Sequence, residues 1–295
     1  MNRQKIALLT DSCADIPRVL LRKYDIHVVP LKLIFSDGEY ADGVDITPAE
    51  VYRRLPDEMP KTTLPGGDAV EDAFAQIKRA GYTKVLALHL SGGLSGTYNM
   101  VRLIGEQTAG LEVAAFDTQS GSLGIGLTVL QAARWIEAGW SWSALLRALP
   151  PLLRDTQVFF CVDTLEYLQK GGRIGKITAV AGTLMQIKPI LSFTPDGQLV
   201  NAAKVRGRKA ALAKMVDIAA ARVPRGARFN LALAHGDAPA ELRALRALAQ
   251  QKLPDFAYCM EGEIDCTLAA YVGPRLLGVG VQLLDRALEA AGQTQ

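Results

Sequence analysis

Cysteine is scarce in this sequence and shows no pairing pattern. No CxxC pair occurs in the 295 residues, whose four cysteines are Cys13, Cys161, Cys259 and Cys266. This spacing argues against a zinc site and against a framework of disulfides. Histidine is rarer still, with three residues, which leaves few imidazole groups for catalysis or metal binding.

Long hydrophobic runs and basic tracts are also missing. No run reaches the roughly 18 apolar residues that a membrane span needs. Near the amino terminus only four apolar residues stand in a row, at 6–9, too few for a signal peptide. The 33 basic and 30 acidic residues leave a net charge of +3, and no tract of Lys and Arg interleaves with aromatics. We therefore expect a cytoplasmic protein that does not bind nucleic acid.

The overall composition is that of a soluble globular protein. Hydrophobic residues make up 49% and charged residues 21% of the chain, so a large core can be buried. A length of 295 residues favours two domains over one. The pair Pro150 and Pro151 is expected to interrupt a helix. We place the domain boundary there, with domains at residues 1–153 and 154–295.

The first region alternates apolar runs with helical patterns, which is typical of a βαβ fold. The segments KIALLT, KVLALHL and EVAAFDT predict strands, and HVVPLKLIF predicts a single extended segment. Thr47 followed by Pro48 and Glu50 predicts the start of a helix. We expect a parallel-sheet, Rossmann-like α/β domain. The stretch LHLSGGLSGTY then lies at the carboxyl end of a strand, where open parallel sheets usually bind ligands.

The second region has a different signature. Its TPDGQ segment contains the Asp-Gly pair of a tight turn between strands. We therefore predict an α/β domain with a mixed or antiparallel sheet. Helices are predicted over ELRALRALAQQ and at the carboxyl terminus.

Several motifs resemble those of enzymes without matching them. In GGRIGKIT, Lys170 stands where a P-loop needs glycine, and Ile177 stands where it needs a hydroxyl. GLSGT does not have the GxSxG order of a hydrolase around Ser95. A Ser-His-Asp triad and a metal site at Asp11 and Asp15 stay open as alternatives, although aspartate in TDSCAD more often caps a helix.

Six sequence blocks carry a specific resemblance. In chain order they are LLTDSCADIP, KTTLPG, LSGGLSGTYN, VDTLEYLQKGGRIGKITAVAGTLMQIKPIL, KVRGRKAA and YVGPRLLGV. Together they span nearly the whole chain, and they resemble the DegV family. The resemblance implies a two-domain α/β protein that holds one long-chain fatty acid in a tunnel between the domains. In some bacteria similar proteins are lipid-binding subunits of a fatty-acid kinase and present the acyl carboxylate to a separate ATP-using subunit.

The resemblance also implies which residues hold the head group. The hydroxyls that bind the carboxylate in the family match Thr62 and Ser95, and each can donate one hydrogen bond without adding a charge. Arg173 of GGRI matches an arginine near the head group in kinase-linked members, where a guanidinium suits a carboxylate or phosphate. Further ligand-binding candidates are Ser91, which could assist, and Gly93 and Gly96, which would let the head group come close.

This sequence departs from the family pattern near the site. Tyr271 stands where many members carry histidine, and Arg275 replaces a glycine. That histidine is linked with the binding proteins that support phosphotransfer, so its absence weakens the expectation of a kinase partner and leaves lipid binding untouched. Leu64 replaces a glutamine, which makes the mouth of the site less polar.

We expect a fatty-acid-binding protein with no catalytic residue, no metal and no cofactor besides the bound acid. Its expected partners are a long-chain fatty acid, an ATP-using fatty-acid kinase subunit and, transiently, a membrane. The apolar wall of the tunnel is expected from residues 28–35 and 177–184. Two alternatives stay open: a lipid carrier or sensor without a kinase partner, and a serine-dependent acyl hydrolase or transferase that uses Ser95.

Overall fold

Three β-sheets with their helices form the part of the chain described by this computed structural model, residues 2–177 and 186–285. The strands are β1 (Ile6–Asp11), β2 (Ile26–Val29), β3 (Lys32–Phe35), β4 (Gly38–Ala41), β5 (Lys61–Thr63), β6 (Lys84–His89), β7 (Glu112–Asp117), β8 (Thr156–Cys161), β9 (Ile187–Phe193), β10 (Leu199–Arg206), β11 (Arg228–His235), β12 (Tyr258–Glu263) and β13 (Leu277–Leu284). The helices are α1 (Arg18–Lys23), α2 (Pro48–Arg54), α3 (Gly67–Arg79), α4 (Thr97–Gln107), α5 (Leu123–Glu137), α6 (Trp142–Arg154), α7 (Glu166–Lys170), α8 (Arg208–Ala220), α9 (Pro239–Lys252) and α10 (Cys266–Val272).

The first sheet is parallel, with the strand order β2, β1, β6, β7. This arrangement confirms the parallel α/β architecture predicted for the first region. The apolar runs of β1 and β6 are buried on both faces of the sheet, as expected when helices cover both sides of a parallel sheet. The loops that follow β1, β6 and β7 therefore lie together at the carboxyl edge.

The second sheet is mixed, with the order β10, β9, β8, β13, β11, β12, as predicted. The turn predicted at TPDGQ joins antiparallel β9 and β10, and the amide of Thr194 donates to the carbonyl of Gln198 over 2.8 Å. Central strand β13 was not predicted, because its two glycines weaken the strand signal. The helix predicted at the carboxyl terminus falls partly on residues 286–295, which lie outside the described residues.

A small antiparallel sheet, with the order β4, β3, β5, completes the architecture. HVVPLKLIF does not form one extended segment, since the chain leaves the parallel sheet after β2 and enters this small sheet at β3. Pro30, at the break, has no amide hydrogen to donate to a ladder. Pairing with Leu33 of β3 fixes the position of Thr62 on β5.

Helix α5 lies between the two large sheets. It packs on β1 and β6 of the parallel sheet and on β8, β11 and β13 of the mixed sheet. Almost all of its residues are buried, so its apolar surface is wider than the stripe of an ordinary amphipathic helix. Within the described part of the chain, no helix combines the length and the apolar character that crossing a membrane requires.

Helix α6 corrects one expectation from the sequence. The pair Pro150 and Pro151 does not interrupt the helix, which continues to Arg154. Burial of its apolar face, formed by residues such as Leu145 and Leu149, holds the helix together although two amide donors are missing. Because α6 ends at Arg154 and β8 begins at Thr156, the division between 153 and 154 falls at the last residue of α6, and it stays a prediction.

Buried carboxylates from the first half of the chain hold α10. Asp42 accepts hydrogen bonds from the amides of Cys266 and Thr267 over 2.9 and 3.0 Å. Asp15 accepts one from the amide of Asp265 over 2.7 Å, and Asp265 itself caps the helix. These bonds satisfy the free amides at the amino end of α10. Capping is also the role of Asp11, which accepts from the amide of Cys13 over 3.0 Å.

Burial shifts the protonation of this cluster. Desolvation raises the pKa of Asp15 from 3.8 to about 7, against the hydrogen bonds that it accepts from Ser122 and Asp265. Desolvation, followed by the nearby charges of Asp42 and Asp15, also raises the pKa of Asp265 well above its usual value. The folded protein therefore holds protons that the unfolded chain releases.

We predict that Asp15→Asn flattens the pH dependence of stability. With wild-type Asp15, the free energy of unfolding falls as pH rises from its ordinary pKa of 3.8 to about 7, because the folded state binds the extra proton. Asparagine cannot ionise, can still accept from the Asp265 amide and tolerates the left-handed backbone of position 15 (φ 50°). Urea unfolding across this pH interval should give the variant a shallower slope and, above it, higher stability than wild type. Parallel curves at every pH would contradict the shifted pKa.

We predict that Gly126→Ala weakens the packing of α5. An ideal Cβ at Gly126 would lie 2.6 Å from the carbonyl oxygen of Ala14 and 2.8 Å from Cε of Met260. Such overpacking should lower the free energy of unfolding by about 1–3 kcal/mol. The matched control is Gly67→Ala at the start of α3, where nothing lies within 4 Å of an added Cβ. Equal losses for the two variants in urea unfolding would show that α5 has room at this point.

Candidate functional site

A cavity of about 490 Å³ lies between the loops of the parallel sheet and the inner face of the mixed sheet. This volume is within the range of small-molecule sites, roughly 300–1,000 Å³. Residues from both sides of the predicted boundary at 153 and 154 line it. Most of the wall is apolar and includes Leu31, Leu90, Leu123, Val158, Phe160, Leu168, Phe193, Leu199, Leu268 and Leu276.

Polar side chains on four separate segments also line this cavity. Thr62 lies on β5 and Tyr271 near the end of α10, and their hydroxyl oxygens are 2.5 Å apart. Ser95 lies in the loop after β6, with its Oγ 2.9 Å from Oγ1 of Thr97 at the start of α4. Arg173 follows α7. These groups could orient one polar end of a ligand whose remainder is apolar.

Arg173 brings a positive charge to the cavity wall. Its Nη1 donates to the carbonyl of Gly171 over 3.0 Å, and its guanidinium carbon lies 5.1 Å from the ring centre of Tyr271. Among the residues that the structure describes, no carboxylate forms an ion pair with this guanidinium. A partly buried cation with neutral neighbours favours an anionic ligand group.

The structure brings five of the six candidate ligand-binding residues to the cavity wall and leaves one outside. The sixth, Ser91, is fully buried next to the cavity and does not line it. Its Oγ donates to the carbonyl of Gly197 over 2.7 Å and accepts from the amide of Gly93 over 3.1 Å. Ser91 therefore fixes the loop that carries the site. The five at the wall are Thr62, Gly93, Ser95, Gly96 and Arg173.

Two glycines of LSGGLSGTYN differ in whether their surroundings leave room for a side chain. An ideal Cβ at Gly93 would lie 2.9 Å from the carbonyl oxygen of Gly197 and 3.0 Å from that of Asp196. The turn between β9 and β10 thus requires glycine at this position, with or without a ligand. At Gly96 an added Cβ would meet only methyl groups of Leu64, the nearest at 3.5 Å. A side chain is therefore excluded at Gly93 by backbone and is sterically admissible at Gly96.

The expected apolar lining is only partly correct. Of residues 28–35, all of which the structure describes, Leu31 lines the cavity, whereas Leu33 and Phe35 belong to the core. Of residues 177–184, Ile177 is buried away from the wall, and residues 178–184 lie outside the described residues. The contribution of β8, β9, β13 and α5 to the wall was not predicted. Which of their residues face inward depends on strand register and on helix packing, which the sequence alone does not reveal.

A second concavity, of about 640 Å³, is electrostatically different. It lies beside the carboxylates that hold α10, and its described lining includes the carboxyl groups of Asp11, Asp15, Asp42, Asp45, Glu261, Glu263 and Asp265. These carboxyl groups outnumber the one guanidinium of the described lining, that of Arg18, so an anionic ligand is disfavoured there. The charge of Arg173 and the apolar wall therefore make the smaller cavity the better candidate for an amphipathic anion.

The described histidines do not form a catalytic arrangement with Ser95. His89 is buried, with its Nδ1 2.9 Å from Oδ2 of Asp11. His235 accepts from the amide of Ala238 through its Nδ1 over 3.4 Å. Ser95 is hydrogen-bonded to Thr97 instead. Among the residues that the structure describes, no histidine is hydrogen-bonded to Ser95, as the base of a serine nucleophile would be.

Comparisons with known proteins agree on the family. A family model described as an uncharacterised protein of the DegV family matches residues 5–283. A DegV domain-containing protein of Clostridium acetobutylicum is 36% identical over 276 residues, which cover 94% of this chain and 98% of that protein. A fatty-acid-binding DegV family protein from Thermus thermophilus superposes with a TM-score of 0.88 at 32% identity and covers 96% of this chain and 100% of its own. A stearic-acid-binding protein from Eubacterium ventriosum superposes with a TM-score of 0.87 at 26% identity, over 97% of this chain and 99% of its own. The sequence blocks, the fold and the matched length lead to one conclusion: this chain belongs to the DegV family.

Proposed function

We propose that this protein binds one long-chain fatty acid and has no catalytic activity of its own. The carboxylate is held by the hydroxyls of Thr62 and Ser95, beside Arg173, and the tail fills the apolar cavity. The observation that carries the proposal is a guanidinium that pairs with no carboxylate of the described residues, in a cavity that is otherwise largely apolar. The fatty-acid ligands of the structural relatives support the same assignment.

The cavity joins the two regions that the sequence separates. We propose that residues 1–153 and 154–295 form two domains and that the acid lies between them. The lining supports this, because Thr62 and Ser95 come from the first region, and Phe160 and Tyr271 come from the second. A cytoplasmic location without a metal or cofactor is part of the same proposal.

The tail and the hydroxyls contribute different amounts of binding free energy. Burying the tail of an acid with about 16 carbons, at about 0.8 kcal/mol per methylene, yields on the order of 10 kcal/mol before the loss of freedom is subtracted. A neutral hydrogen bond adds only about 1 kcal/mol. The apolar wall therefore supplies most of the affinity, and the hydroxyls determine which end of the acid lies beside Arg173.

Tyr271 adds a donor to this polar end. In the described structure its hydroxyl pairs with Thr62, so an entering carboxylate can accept from both hydroxyls in place of their mutual bond. The histidine that the DegV pattern implies at this position would bring a titratable charge near neutral pH. The phenol brings a hydrogen bond without that charge.

Presentation of the carboxylate to an ATP-using kinase subunit is the second candidate function. Gly92, Gly93 and Gly96 line the cavity and are exposed, so a partner could reach the head group from solvent. An ATP-dependent assay for acyl phosphate with the kinase subunit of the same cell separates the two roles. A product supports presentation, and its absence with a loaded protein supports a carrier or sensor.

We predict that the purified protein carries a fatty acid. Denaturing extraction and mass spectrometry should find one saturated or monounsaturated acid per chain, with about 16 to 18 carbons, because so large an apolar contact should survive purification. Refolded protein, stripped of lipid and incubated with the acid, serves as the control for loading. Protein that carries no acid and takes up none would rule out the proposed function.

We predict that Thr62→Ala combined with Ser95→Ala weakens binding without abolishing it. The loss of two hydrogen bonds at about 1 kcal/mol each should raise Kd by about 30-fold. The methyl ester of the same acid, which keeps the tail, provides the internal control. Titration calorimetry should show that wild type prefers the acid to the ester more strongly than the double variant does. Complete loss of binding to both ligands would contradict the division between tail and head group.

A further inference from the structure

The inner face of the mixed sheet contributes a row of three residues to the cavity wall. Gly278 of β13 pairs with Phe160 of β8 on one side and with Ala234 of β11 on the other. All three line the cavity. Because paired residues of neighbouring strands share one face of a sheet, a side chain at position 278 would lie between the phenyl ring of Phe160 and the methyl group of Ala234.

Gly278 and Gly280 of β13 face the same side of the sheet, but the space around them differs. At Gly280 an ideal Cβ would lie 3.2 Å from Cβ of Leu123 and 3.3 Å from Cδ1 of Leu127, so α5 occupies the space. At Gly278 the nearest atoms to an ideal Cβ are Cδ1 of Leu123 at 3.5 Å and Cβ of Phe160 at 3.6 Å, which is ordinary contact. Helix packing explains Gly280 and leaves Gly278 unexplained.

Backbone conformation does not explain Gly278 either. Unlike glycines such as Gly273 and Gly197, it does not have a positive φ. Its position in a central strand is one where glycine is disfavoured and a β-branched residue would normally stand. Glycine inside a strand often marks the close approach of a ligand, and the open side of Gly278 is the cavity.

We propose that Gly278 determines the length of acyl chain that this protein accepts. The inference rests on the proposed function and assigns a specificity role to a position without a side chain. The two atoms nearest to an ideal Cβ at this position are apolar carbons of Leu123 and Phe160, and the third, at 3.7 Å, is the backbone carbonyl oxygen of Phe159. The side chains around position 278 are thus apolar, so the part of the ligand beside it is hydrocarbon. Side chains pack in protein interiors at the density of organic crystals, so each carbon added at position 278 displaces about one carbon of the ligand.

The test compares the acids bound by Gly278→Ala, Gly278→Val and wild type, each offered the same mixture of saturated acids. The valine variant should shift the mean length of the bound acid by about three carbons towards shorter chains, and the alanine variant by about one. Ala234→Val on the neighbouring strand should shift it in the same direction, and it tests the proposal if the valine at position 278 prevents folding. Mass spectrometry of the extracted acids gives the readout.

Gly105→Ala is the matched control. It adds the same methyl group in α4, where an ideal Cβ would lie 2.7 Å from Cγ1 of Val113 and 3.4 Å from Cζ of Phe74, neither of which lines the cavity. It should lower the melting temperature and leave the bound acids unchanged. If wild type binds acids and the chain lengths in Gly278→Val and Ala234→Val equal those of wild type, the specificity role is wrong while fatty-acid binding stands. If wild type binds no acid, the proposed function itself fails.

Discussion

Close packing of α5 between the two large sheets is the constraint on which the rest of the structure depends. The helix is buried along almost its whole length, and Gly126 and Gly280 allow it to approach the backbone near Ala14 and the strand β13. Leu123, its first residue, belongs to the cavity wall. The cavity therefore lies next to the amino end of α5, and part of its wall is fixed by the same contacts that hold the sheets together.

Charge is distributed unequally around this framework. Carboxylates gather where α10 begins and serve as acceptors for its free amides, whereas Arg173 stands near the end of the same helix, beside Tyr271. One short helix therefore connects a proton-binding cluster with the polar end of the cavity. The separation matters for ligand choice, because an acid meets a guanidinium in one concavity and a majority of carboxyl groups in the other.

Local signals in the sequence were sufficient for much of the fold. Thr47 caps α2 by accepting from the amide of Glu50, and the Asp-Gly turn joins β9 to β10, since capping and turn chemistry act over a few residues. Predictions failed where contacts between residues far apart in the sequence determine the structure. Tertiary burial keeps α6 helical through Pro150, and a carbonyl at Gly197 takes the hydroxyl of Ser91 away from the site. The family resemblance pointed to Thr62, Ser95 and Arg173, which line the cavity and whose role in binding stays a prediction. It could not locate the walls built by α5 and β13, because strand register and helix spacing set them.

The contact between the loop after β6 and the turn after β9 has a kinetic consequence. Ser91 donates to Gly197 across this contact, and Gly93 lies against the same backbone. Gly93 is also at the solvent-facing rim of the cavity. Widening the rim there would break a buried hydrogen bond, whose loss is costly because both partners are shielded from water. Release of a bound ligand by this route would thus be slowed by the hydrogen bond between Ser91 and Gly197, which does not involve the ligand. The residence time of the ligand can then be long even where its affinity is moderate.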